Sequence, residues 1–157
     1  MDHEHNHDAC IEQALSSADE ICARRGVRLT PLRRKVLERI WQSHEAIKAY
    51  DLIGQLSSAD HTVKPPTVYR ALDFLLEQGL IHRIESLNGF VGCTRPQKAH
   101  QSQLYICRDC GQVSECGDEG IRRALDREAA RQGFHTEERI VEVRGLCARC
   151  QDRAAHA

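Results

Sequence analysis

The chain has 157 residues, with 22 Lys and Arg against 23 Asp and Glu, a formal net charge of -1, and 41% hydrophobic residues. That length suits one domain of ordinary size or two small ones. No run approaches the roughly 18 consecutive apolar residues of a bilayer span, and the acidic, His-rich N-terminus lacks the basic-then-apolar order of a signal peptide. A cytoplasmic protein with no membrane partner is expected. In that reducing compartment the eight cysteines are better explained by metal than by disulfides.

In chain order, His3, His5 and His7 with Asp8 and Cys10 read as a flexible His-rich tail over residues 1–9, the alternative being a metal-catching arm. Ile11, Leu15, Ala18, Ile21 and Cys22 then recur at helical spacing over 9–25, ending near Gly26. Between Arg24 and Arg39 seven basic residues face one acid, Glu38, a local field suited to a polyanion. Thr30-Pro31 is an N-cap with proline at the first helical position, opening a helix with the stripe Leu32, Val36, Leu37, Ile40 and Trp41. A third helix spans Ala49 to Ser57 and buries Leu52, Ile53 and Leu56.

The fourth helix starts at Pro65-Pro66 and closes at Gly79. Thr67 lies in its first turn, Val68, Leu72, Leu75 and Leu76 form its buried stripe, and Tyr69, Arg70 and Asp73 project opposite. That is the layout of a recognition helix: Arg70 suits a guanine edge, and Tyr69 a phosphate or thymine methyl. Arg33 and Lys64 suit phosphate. The run Gly79 to Cys93 follows as a hairpin around Asn88-Gly89, so helices and hairpin together give the element order of a winged helix-turn-helix. With Asn88 and Gly89 as the two loop residues, Ile84 faces Cys93, and His82 and Cys93 become diagonal neighbours on one face. That placement permits a shared metal without requiring one.

The second half carries the strongest local signal. Cys107-x-x-Cys110 and Cys147-x-x-Cys150 supply four thiolates, the donor set of a closed structural Zn2+ site. The 36 residues between the pairs exceed a simple ribbon's loop. A strand over Gln112–Cys116, a helix over Asp118–Gln132 with Ile121, Leu125 and Ala129 inward, and a strand over Arg139–Leu146 fit there. A thiol redox enzyme is the alternative class, disfavoured because both pairs stand at strand ends rather than opening a helix. His100 and Glu115 could join His82 and Cys93 as an N/S/O donor set drawn from both halves, with Cys116 competing for the place of Glu115. The reading is α+β: a winged-helix DNA-binding domain over 1–92 and a C-terminal domain over 93–157.

Together the pieces RLTPLRRKVL, AYDLI, KPPTVYRALDFLLEQGLIHRIES, the two Cys pairs and EVRGLCARC resemble the ferric uptake regulator superfamily, and most nearly its zinc-sensing branch, the zinc uptake regulators. The resemblance spans roughly residues 20–150. It implies a homodimeric repressor with a C-terminal α/β dimerisation domain, binding palindromic operator DNA and taking no small-molecule substrate other than a metal ion. It also implies structural zinc on the four cysteines and a hinge sensing site on His82, Cys93, His100 and Glu115, hence two Zn2+ per protomer. Tyr50 matches a position near DNA, as do Tyr69 and Arg70. Iron-sensing members carry a His-His-Asp-His cluster before the first Cys pair. Here the chain reads AHQSQLYIC, leaving only His100, which favours Zn2+ over an iron- or peroxide-sensing role.

Overall fold

The computed structural model describes residues 7–59, 61–96 and 102–156. The chain divides into two units, Met1–Lys98 and Ala99–Ala157. The division falls a little beyond the sequence boundary at 92/93 and leaves Cys93 with the first unit.

The first unit contains α1 (His7–Arg24), α2 (Pro31–Trp41), α3 (Ala49–Leu56), α4 (Pro65–Glu77) and a hairpin of β1 (Ile81–Ile84) and β2 (Gly89–Gly92). Residues 7–9 of the expected tail form the first turn of α1, while His3 and His5 lie outside the described residues. Helix α2 begins where Thr30 and Pro31 place it, the Thr30 side chain accepting the Arg33 N–H at 3.4 Å. In α4 the buried face comprises Val68, Ala71, Leu72, Phe74 and Leu75, and Leu76 is only half-buried. The stripe is therefore rotated toward Phe74, whose ring lies 3.7 Å beneath the Arg33 guanidinium. Val36, Leu37 and Ile40 of α2 join Leu52, Val68, Leu72 and Leu75 in the core, with Cys22 also buried there.

Helix α4 ends on Gly79 at φ +67, the left-handed conformation that glycine adopts without steric cost. Leu80 N–H then bonds Leu75 O at 2.9 Å and Gly79 N–H bonds Leu76 O at 2.9 Å, the paired closing bonds of a Schellman turn. Arg25 adds a cap by donating to Gln78 O at 2.7 Å. The chain emerges directly into β1.

The hairpin differs from the two-residue turn expected. Ile84 pairs with Gly89, not Cys93, and His82 pairs with Val91. A 3-10 turn at Glu85–Leu87 precedes Asn88, which alone holds the left-handed conformation at φ 48, and Gly89 already belongs to β2. The slip is an even number of residues, so side chains keep their faces. Ile47 extends the wing, its N–H and C=O bonding Phe90 at 2.9 and 2.8 Å.

The second unit is a three-stranded sheet in the order β4-β3-β5, with α5 (Glu119–Arg131) and α6 (Ala148–Ala155). β3 (Gln103–Cys107) runs antiparallel to β4 (Val113–Cys116) and parallel to β5 (Val141–Gly145). Asp118 caps α5, accepting the Ile121 N–H at 3.0 Å, and its own N–H is held at 2.8 Å by Oε1 of the buried Gln103. The expectation that Ile121, Leu125 and Ala129 face inward needs correcting in part: Ile121 and Ala129 are half-buried, but Leu125 is exposed and α5 has no fully buried residue. Helical spacing identifies an apolar face but not what covers it.

Gly92 tests how the hairpin is seated. A Cβ there would lie 2.3 Å from Cε2 of Trp41. Gly92→Ala is therefore expected to displace the indole and cost about 1–3 kcal/mol. Denaturant unfolding followed by fluorescence of the single tryptophan measures it.

Candidate metal centres and nucleic-acid interface

The four-cysteine cluster forms where two strand ends meet. Cys107 is the last residue of β3, and its carbonyl accepts the Gly111 N–H at 3.0 Å, closing a tight turn around Cys110. Gly111 permits that turn with φ +74. The second pair follows β5, which is hydrogen-bonded to β3 in parallel, so both pairs arrive at the same sheet end. Cys147 is the N-cap of α6. This corrects the expectation that neither pair opens a helix, and the case against redox chemistry passes to the convergence of all four thiols.

The ligand atoms of Cys107, Cys110, Cys147 and Cys150 lie within 4.8 Å of one another, and Cys110 Sγ is 3.7 Å from Cys147 Sγ. Zn–S bonds of about 2.3 Å imply a tetrahedral S···S edge of about 3.8 Å, so the donor set fits zinc in kind, number and spacing. None of the eight cysteines is in a disulfide. Backbone amides prepare the cluster: N–H groups of Cys110 and Cys147 lower the Cys107 thiol to about 6, the latter donating to its sulfur at 3.3 Å. The Gln112 amide lowers Cys110, whereas Asp109, accepting from its S–H, raises Cys150.

Three charged residues missed by the sequence reading surround these sulfurs. Arg153 donates to Asp109 Oδ2 at 2.5 Å and to Cys150 Sγ at 3.2 Å. The Arg149 guanidinium is raised above its ordinary value chiefly by hydrogen bonding to Cys110. The only sequence signal was the interleaving of charge with sulfur in CRDC and CARCQDR.

In the first unit, His82 and Cys93 share a face of the hairpin, as the even register slip requires. Cys93 lies two residues beyond Val91, the partner of His82, and its N–H bonds Leu80 O at 3.0 Å. A ring nitrogen of His82 and the Cys93 sulfur lie within 4.8 Å. Cys93 is buried and His82 half-buried. In the second unit, Glu115 is half-buried on the face of β4 that carries Val113, and its carboxylate accepts from the Ser102 hydroxyl. Cys116 points to the other face and is exposed. His100 lies outside the described residues.

The face of α4 expected to meet DNA is open. Tyr69 is 51% exposed and Tyr50, on α3, 83% exposed. Thr67, Arg70 and Lys64, the N-cap residue of α4, are also exposed. Arg33 is only half-buried, and besides stacking on Phe74 it donates to Arg28 O at 2.6 Å. Its charge supports the contact between α2 and α4.

Residues 24–144 match the sequence profile of the Ferric uptake regulator family. The chain belongs to this family. It is 46% identical over 140 residues to the zinc uptake regulation protein of Escherichia coli K12, covering 88% of this chain and 82% of that one. It is 30% identical over 135 residues to the ferric uptake regulation protein of the same strain, covering 83% and 90%. Among solved structures, a zinc uptake regulator complexed with zinc and DNA matches with TM-score 0.87 at 44% identity, covering 92% of this chain and 97% of that chain. Holo XcZur matches with TM-score 0.81 at 38% identity, covering 88% and 96%.

Cys110→Ser removes one corner of the sulfur tetrahedron. Metal analysis should show a loss of about one zinc per chain, and circular dichroism a second unit that melts at lower temperature, because metal affinity at such a site is folding free energy.

Proposed function

We propose that this protein is a zinc-responsive, homodimeric transcription repressor, working in the cytoplasm on genes of zinc uptake and homeostasis. In this reading it binds palindromic operator DNA when His82, Cys93, His100 and Glu115 together hold a regulatory Zn2+, the second per protomer beside the four-cysteine site. The observation that carries it is the position of the mixed N/S pair. His82 and Cys93 sit on the hairpin that leaves the recognition helix through one Schellman turn. Anything that fixes the hairpin also constrains α4. The relatives named for zinc uptake, and the related structure holding both zinc and DNA, support the same reading.

When bound, the metal supplies a cross-link among donors from the two halves of the chain. The protein's own residues do the rest. Tyr69 and Arg70 reach base edges from α4, Thr67, Lys64 and Tyr50 contact the backbone nearby, and Arg33 braces α4 through Phe74. Zinc shifts the dimer toward the DNA-competent arrangement only by its differential affinity for that state. The thiolate of Cys93 favours Zn2+ over Fe2+ at such a site. The protein is a regulator, not an enzyme. Apolar side chains exposed on the second unit, Leu125, Phe134, Ile140 and Val143, support its role in pairing two protomers.

Cys93→Ser should abolish zinc-dependent DNA binding in a mobility-shift titration across buffered zinc while leaving a folded dimer by light scattering. The switch fails if stripping the labile metal with a mild chelator leaves operator affinity unchanged. At the DNA surface, Arg70→Ala should cost about 1–3 kcal/mol and relax specificity at one base pair, whereas Lys64→Ala should weaken all sequences alike and reduce the salt slope by about 1.

A further inference from the structure

The zinc ligands of the second unit carry an arrangement of charge that their own coordination does not require. Four thiolates around one Zn2+ leave a net charge of roughly -2. Asp109, inside the first knuckle, adds another negative group and reaches the sulfur of Cys150 in the second knuckle. A carboxylate beside a sulfur that must be a thiolate to bind metal is repulsive unless a cation lies between them. Arg153, one turn beyond Cys150 on α6, is that cation. A single nitrogen, Nη2, donates to Asp109 Oδ2 at 2.5 Å and to Cys150 Sγ at 3.2 Å.

The Arg153 and Asp109 side chains are 66% and 50% exposed. An ion pair so placed contributes little to folding. Its consequence lies in direction. The carboxylate holds the guanidinium so that an N–H points at a ligand sulfur, in the way that outer hydrogen bonds orient the ligands of metal sites. A lysine would bring the charge without the fixed fork.

We propose that Asp109 and Arg153 form a charge clamp that retains zinc in the four-cysteine site, Arg153 positioning and neutralising Cys150 and Asp109 holding Arg153 in place. The clamp rests on the reading of that cluster as a zinc site. It links the two knuckles by a contact independent of the metal. It also makes the carboxylate a liability once the arginine is gone.

The test uses the full-length, zinc-loaded protein, first stripped of labile metal. Zinc transfer from the remaining site to an excess of chromogenic chelator is then timed. Arg153→Met should release zinc about tenfold faster or more, the scale on which outer partners affect metal sites, and Arg153→Lys should fall between it and the wild type. Asp109→Asn placed in the Arg153→Met background should slow release again, because it removes the uncompensated carboxylate. A purely structural role for α6 predicts no such reversal. Release from Arg153→Met at the wild-type rate, or a double variant no slower than the single one, overturns the clamp. Should Arg153→Met not fold, Arg153→Gln, which also removes the charge, with and without Asp109→Asn decides the matter by the same comparison. If Cys110→Ser keeps the full zinc content of the wild type, the zinc-site reading itself fails, an outcome separate from failure of the clamp.

Discussion

The turn at Gly79 and Leu80 is the constraint on which the first unit depends. It joins the helix that presents Tyr69 and Arg70 to the hairpin that presents His82 and Cys93, with no flexible linker between them. Three features fix its geometry: the positive φ of Gly79, the Leu80-to-Leu75 bond, and the Arg25 guanidinium on the Gln78 carbonyl. Leu80 and Ile81 then enter the core. Trp41 over Gly92 and Ile47 against Phe90 hold the hairpin from its other side. A metal bound at the proposed hairpin site would therefore act on a body directly continuous with α4.

The two donor sets differ in the way their proposed roles require. The four thiols are brought together by strand ends within one unit, and backbone amides lower the thiols of Cys107 and Cys110. Such a set is closed and offers no position for exchange, which suits a permanent fold element. His82 and Cys93 offer one nitrogen and one sulfur, and complete no coordination shell by themselves. An incomplete pair can report metal availability because further donors must be recruited to it.

The sequence made the helices legible where punctuation was chemical. Thr30-Pro31 and Pro65-Pro66 place two helix starts, and Gly79 an end, because proline and left-handed glycine have few alternatives. The hairpin register was not legible. Asn88-Gly89 suggests a two-residue turn, yet the 3-10 turn at Glu85–Leu87 lets Asn88 alone carry the positive φ. The faces survived because side-chain alternation has period two, so His82 and Cys93 stayed together although their partners changed. On α5 the apolar spacing was visible, but its burial within one chain does not follow from spacing. Asp109 and Arg153 were invisible for a different reason: they lie on separate knuckles, and only the parallel pairing of β3 and β5 brings them together.

The basic segment from Arg24 to Arg39 shows why a charge run is a poor measure of a binding surface. Arg25 caps α4, Arg33 stacks on Phe74, and Arg34 pairs with Asp19 across to α1. Arg39 donates to Gln42 at the end of α2. Much of the positive charge therefore holds the helices of the first unit against one another. Arg28 and Lys35 are exposed, as are Lys64 and Arg70 from outside the run. Of the seven basic residues only Arg34 has a carboxylate partner among the described ion pairs, so the others keep their charge while several of their side chains are held in place. Charges fixed in this way meet phosphates in one register, which favours a protein that reads one groove over one that binds polyanions by net charge.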